Sequence, residues 1–231
     1  MYELFIANKN YSSWSMRPWV LMRQLGIPFT ERMLPFHLNH GDGDFRRFTP
    51  TGRVPCLVDG GLRIWDSLAI TEYVAESHPS VWPAGRAVRA WARSACAEMH
   101  SGFTALRAKC SMSIGQRMRL HRIDADLQAD LDRLVALWRE GFARHGGGFL
   151  AGDAFTAVDA FFAPVATRVQ TYGLPLPADA ADYVQRLLAM PAVAQWVTAA
   201  LAEPWRDAGH DQDVLAQGVV LDDLRALPLP Q

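Results

Sequence analysis

Residues 10–19 read NYSSWSMRPW, and they place three hydroxyls, Ser12, Ser13 and Ser15, in one turn beside Trp14. An apolar run precedes this turn and a helical pattern follows it. A serine at a helix start satisfies free backbone N–H groups with its side-chain oxygen, so capping by itself accounts for the pattern. The same placement has a second use. A hydroxyl donor and the positive end of a helix together favour an anion. Both readings stand at this level. Asp66-Ser67 repeats the arrangement, because it lies where a strand pattern ends and a helix pattern begins. The N–H groups and serine hydroxyl of such a start suit a carboxylate. Between them, HLNHGDGDFRRF at 37–48 and Arg53 supply a polar loop with basic side chains, among them His40, Arg46 and Arg47.

Other chemistries lack support. There is no G-x-G-x-x-G and no Walker A pattern, so a nucleotide site has no motif. The three cysteines, Cys56, Cys96 and Cys110, form no C-x-x-C and no metal spacing with histidine. That count argues against a disulfide framework and suits a reducing compartment. No metal is expected. The formal net charge is −1, which gives no broad attraction to nucleic acid or to an anionic membrane. Only Lys9 and Lys109 are lysine, so the basic charge is almost all arginine. The first residues lack the charged start and long apolar run of a leader. No stretch approaches the roughly 20 apolar residues that cross a bilayer. A cytoplasmic protein without a membrane or nucleic-acid partner is expected.

The elements that would position these residues fall into two halves. Tyr2–Ala7 reads as a buried strand. Residues 16–25 read as a helix stopping at Gly26, with Pro18 tolerable in its first turn. Phe29–Leu34 could be a second strand. Pro55–Val58 and Leu62–Trp65 read as strands joined by Asp59-Gly60-Gly61, a hairpin signature. Residues 67–78 read as a helix. After the Pro- and Gly-bearing stretch 79–87, strand signals vanish. Val88, Trp91, Ala95, Met99, Phe103, Leu106 and Cys110 recur as one helical stripe. Leu127 to Phe142 form another, ended by three glycines. Thr156 and Asp159 form a capping box, read as serving folding only, ahead of a helix with an interior Pro164. Helices over about 179–190 and 192–202 follow, and the remainder is expected to be partly loose. The expected fold is therefore an α/β domain over residues 1–79 and an all-α domain over 87–231.

A β-α-β then β-β-α order, with Val54-Pro55 before the third strand, is the plan of a thioredoxin-like domain. With an all-helical second domain, the chain resembles the cytosolic glutathione S-transferase family. YSSWSMR at 11–17, TPTGRVPCL at 49–57, WDSLAITEYVAE at 65–76 and GDAFTAVDAFFAPV at 152–165 carry the match. The first is similar to the S-S-x-S motif of the zeta class and related bacterial branches, although Trp14 stands where the zeta class has cysteine.

The resemblance implies glutathione as co-substrate, a small electrophile as second substrate, detoxification chemistry and a homodimer. It assigns the sulfur-facing role to Ser12, with Ser13 and Ser15 as neighbours and one of them the cap. It implies that Val54 binds the tripeptide through its backbone beside a cis Pro55. Asp66 and Ser67 are implied to grip the γ-glutamyl end. His40, Arg46, Arg47 and Arg53 are candidates for the glycine carboxylate. Trp14 is shared with the second substrate, whose site could also include Tyr11, Met99, Phe103, Arg107 and Cys110. Several activities fit this plan: conjugation of small hydrophobic electrophiles, a glutathione-dependent cis–trans isomerisation of the maleylacetoacetate type, peroxide or dehalogenation chemistry on the same thiolate, and a binding module without turnover. No cysteine precedes Cys56, so cysteine-based thioltransferase activity is not expected.

Overall fold

The computed structural model describes residues 1–39 and 44–226. His40 lies outside the described residues. The first half is a four-stranded mixed sheet of order β2-β1-β3-β4, with β1 Tyr2–Ile6, β2 Phe29–Met33, β3 Cys56–Asp59 and β4 Leu62–Ile64. β1 and β2 pair in parallel, Tyr2 against Phe29, while β3 runs antiparallel to both β1 and β4. A parallel pair needs a crossover, here α1 Ser13–Gln24. Gly60, at φ +58, turns the β3–β4 hairpin, and α2 Ser67–Ser77 closes the half. Leu4 and Ile6 of β1, Met16 and Val20 of α1, Leu57 of β3 and Ile70 and Val74 of α2 are fully buried together. Burying each such side chain contributes about 1.5–3 kcal/mol.

The second half is helical: α3 Arg86–Ser101, α4 Thr104–Lys109, α5 Ala125–His145, α6 Ala157–Tyr172, α7 Ala178–Leu188, α8 Pro191–Ala202 and α9 Ala208–Leu215. α6 is buried along most of its length and packs on α1, α3 and α7. The architecture is the thioredoxin-like sheet domain followed by a helical domain, as the element order and the resemblance imply.

Four details differ from the sequence expectation. α1 begins at Ser13, three residues early, so Pro18 sits in the second turn and deprives the Trp14 carbonyl of its N–H partner. The stripe from Val88 to Cys110 is two helices. The chain breaks at Gly102, where a Cβ would lie 2.8 Å from the Glu98 carbonyl, and at Phe103, which adopts φ 52. Strands do not vanish after residue 87. β5 Gln116–Leu120 pairs antiparallel with β6 Gly218–Asp223. β5 is five residues long and carries two arginines, too short and polar for its alternation to register. Finally, the described C-terminal residues are tied down. Leu224 N–H donates to the Gly115 carbonyl and Ala226 N–H to the Leu201 carbonyl, both at 2.8 Å.

Candidate functional site

The turn that opens α1 is built from the side chains expected to matter. Ser12, not Ser13 or Ser15, is the N-cap, accepting from the Ser15 N–H at 3.3 Å. The Ser12 and Ser15 hydroxyls lie 2.7 Å apart, and the Ser15 oxygen in turn accepts from the Ala7 N–H. Ser13 begins the helix, and its hydroxyl accepts from Arg168 of α6 at 3.3 Å. Arg168 is buried, and its other N–H groups are taken by the Cys110 and Pro164 carbonyls. A guanidinium is thus fixed beside the serine turn, and burial lowers its pKa to about 10.

The helical domain holds the preceding residues in place. Glu203, at the end of α8, accepts from the Lys9 and Asn10 N–H groups at 2.6 and 3.2 Å. Trp196 donates its indole N–H to the Lys9 carbonyl, and Gly115 donates to the Asn10 side chain. Tyr11 points away from α1. Its hydroxyl donates to Asp211 of α9 and accepts from Arg225, and His210 stacks on its ring.

Glu203 is buried, which pushes its carboxyl up to about 7 against the two N–H groups that lower it. A raised carboxyl pKa favours the folded state below the ordinary pKa, and that contribution is lost as pH rises through the folded value. Between about pH 4.5 and about pH 7 the Glu203 ionisation is therefore expected to lower stability by roughly 2–4 kcal/mol. Thermal melts of the parent and Glu203→Gln across this window should converge or cross as pH rises, since only the parent loses this contribution. Parallel curves would contradict the assignment.

Beside the serine turn lies a cleft of about 640 Å³ lined by Trp14, Thr51, Arg53, Val54, Pro55, Trp65, Asp66, His100 and Arg107. Val54-Pro55 is a cis peptide. The β1–β3 register ends at Phe5–Cys56 and the β3–β4 register at Leu57–Ile64, so Val54 lies beyond both ladders. Asp66 caps α2 by accepting from the Leu68 N–H at 2.9 Å, and its other oxygen pairs with His100 Nε2 at 3.2 Å. With Asp66 as the cap, the buried Ser67 hydroxyl has no hydrogen-bond partner. Arg46 fills the space beside Gly52, its Cγ 3.0 Å from where a Cβ would sit.

Of the side chains singled out in the sequence, Trp14, Arg53, Val54, Pro55, Asp66 and Arg107 line this cleft. Ser12, Ser13, Ser15 and Ser67 are buried next to its lining residues. Met99, Phe103 and Cys110 belong to the hydrophobic core. Thr51, Trp65 and His100 join the lining without having been singled out. His100 was hidden by its place at the end of an apolar helical stripe. Its ring meets the Trp14 edge at 5.1 Å, and burial lowers its pKa. Burial also pushes the Cys110 thiol up to about 12, which leaves it an inert core group. Among the described residues no cluster of His, Cys, Asp and Glu is placed to hold a metal ion, and no helix is long and apolar enough to cross a membrane.

Comparison with known proteins bears on the family and the fold. The chain is similar to dichloromethane dehalogenase of Methylorubrum extorquens, 39% identical over 57 residues, which are 24% of this chain and a fifth (20%) of that protein's length. It is 25% identical over 194 residues to a stringent starvation protein A homolog of Haemophilus ducreyi, covering 73% of this chain and 79% of that one. Among solved structures, a glutathione transferase homolog from Burkholderia gl BGR1 with bound glutathione superposes with a TM-score of 0.65 at 25% identity, over 86% of this chain and 97% of that chain. The model of the glutathione S-transferase N-terminal domain matches residues 11–77, and that of the C-terminal domain matches residues 117–199. Both halves of the fold, and well over half of the residues, are thus accounted for by one family, and the chain belongs to the glutathione S-transferases.

Proposed function

We propose that this protein is a glutathione transferase that conjugates the thiolate of glutathione to a small electrophile, with Ser12 as the hydroxyl that stabilises the sulfur anion. One observation carries the reading. The Ser12 oxygen sits at the N-terminus of α1, where it accepts from the Ser15 N–H, and its hydroxyl donates to the Ser15 oxygen, which also accepts from the Ala7 N–H. A hydroxyl rotates about its C–O bond, so the Ser12 hydrogen that points to Ser15 can turn to a sulfur anion while its oxygen keeps the Ser15 N–H. The helix end and the buried Arg168 add positive potential to the same point.

A free thiol, with a pKa of about 8.5, is mostly protonated at neutral pH, and only the thiolate is an effective nucleophile. In the proposed reaction the thiol proton leaves to solvent and the sulfur pair forms the new S–C bond. The leaving group departs with its own electron pair. The orphaned Ser67 hydroxyl at the start of α2 fits the γ-glutamyl carboxylate. The Val54 backbone, free of both ladders, fits the cysteinyl amide in the manner of an added strand. Arg53 fits the glycine carboxylate.

Turnover of glutathione with chlorodinitrobenzene, followed by absorbance of the conjugate, tests the reading. Saturable conjugation supports it. Tight binding of glutathione with conjugation no faster than in buffer would favour a binding module. Isomerisation far faster than conjugation would favour the isomerase.

A further inference from the structure

The cleft is unevenly charged. Among the described residues, three guanidiniums, Arg17, Arg53 and Arg107, line it or lie directly behind its Trp14 wall, against one carboxylate, Asp66, which already serves His100 and the α2 cap. Elsewhere among the described residues, buried cations have partners. Lys9 pairs with Glu31, Arg225 pairs with Asp211 and Asp223, and Arg168 is surrounded by carbonyls. Arg17 is the exception. It is 1% exposed, its Nε and Nη1 have no partner, and its one hydrogen bond is a 3.4 Å contact to the Met99 carbonyl. A buried cation without a counter-charge is costly.

Both Arg17 and Arg107 lie over the Trp14 ring, at 4.3 and 4.4 Å from its centroid. Stacking on an indole holds a guanidinium by its face and leaves its in-plane N–H groups free for a carboxylate. Two guanidiniums on one ring repel each other, and an anion beside them relieves that repulsion. The break at Gly102 and Phe103 serves the same end. It starts α4 anew, and Arg107 Nη1 reaches back to the His100 carbonyl at 3.0 Å, which fixes its head at the cleft wall.

We infer that Arg107, backed through Trp14 by the buried charge of Arg17, forms a subsite for an anionic group on the second substrate, so that the preferred electrophiles carry a carboxylate. Arg53 lies at the strand side of the cleft, on the stretch assigned above to the tripeptide. This proposal deepens the transferase reading and rests on it.

The test uses binding, so it does not require turnover. Dinitrobenzoate and uncharged dinitrobenzene are titrated calorimetrically into the protein saturated with glutathione. A charge-assisted hydrogen bond predicts that dinitrobenzoate binds at least about tenfold more tightly than dinitrobenzene. Arg107→Leu should abolish that preference and Arg107→Lys should retain part of it. Added salt should weaken only the benzoate in the parent protein, a readout that needs no variant to fold. Equal affinities in the parent, or a preference that survives Arg107→Leu, would overturn the proposal. Conjugation of chlorodinitrobenzene by the parent reports separately on the transferase reading, so the two failures are distinguishable.

Discussion

Ser12→Ala is expected to lower the rate of conjugation at neutral pH by about 100-fold, the typical loss when one preorganised donor to a developing or resident anion is removed. The variant deletes the hydroxyl that caps α1, the one that accepts from the Ser15 N–H and donates to the Ser15 oxygen. Glutathione affinity should change little, because Val54, Asp66 and Ser67 lie on other elements. Stability should fall by about 1 kcal/mol from the lost cap. Ser13→Ala is the control. Its hydroxyl is held by Arg168 and caps nothing, so a smaller loss of rate is expected. If Ser13→Ala is the more damaging change in steady-state assays at matched stability, the sulfur-facing role belongs to Ser13.

The largest effect on stability is expected at Asp159, far from the chemistry. Its carboxylate is fully buried and accepts from the Leu150 N–H at 3.1 Å, the Thr156 N–H at 3.0 Å and the Tyr183 hydroxyl at 2.8 Å. It joins the start of α6 to the loop before it and to α7. Asp159→Ala leaves these three donors buried and unsatisfied. At about 1–3 kcal/mol for each orphaned group, with some rescue by water, a loss of about 3–5 kcal/mol is expected. Denaturant titration reads it directly. Asp159→Asn keeps an acceptor at the site and should cost less than half as much. Burial pushes the Asp159 carboxyl up to about 6 despite its donors, so the parent's margin over Asp159→Asn should shrink as pH rises from about 4 to about 6. A loss below about 1 kcal/mol for the alanine variant would show that the capping box is not the joint described here.

The order of elements in the sheet domain was legible because its signals are local. The Asp59-Gly60-Gly61 hairpin, the stop at Gly26 and the apolar run of β1 each depend on a few adjacent residues. The capping box was legible for the same reason. The serine turn was legible as a place, but not which serine caps it. That depends on where α1 begins, and the structure starts it at Ser13, before the tryptophan and the proline. The β5–β6 ribbon was not legible, since its partners are about 100 residues apart and neither strand has a strong alternation of its own. At the cleft, Arg53, Asp66 and Arg107 could be named in advance. His100 and Arg17 could not. One lies in an apolar helical stripe, and the other is one arginine among many in a chain with only two lysines. Burial without a partner, which makes Arg17 informative, is a property of packing and leaves no mark on residue order.

The ionisation state of the bound sulfur tests the role of Ser12 most directly. Thiolate absorbance of bound glutathione, titrated over pH on the parent protein and on Ser12→Ala at saturating peptide, measures it. The parent should titrate at least about one unit below the free thiol's pKa of about 8.5, and Ser12→Ala should return it to within a few tenths of that value. A thiol that titrates in the parent as it does in solution would contradict the central claim.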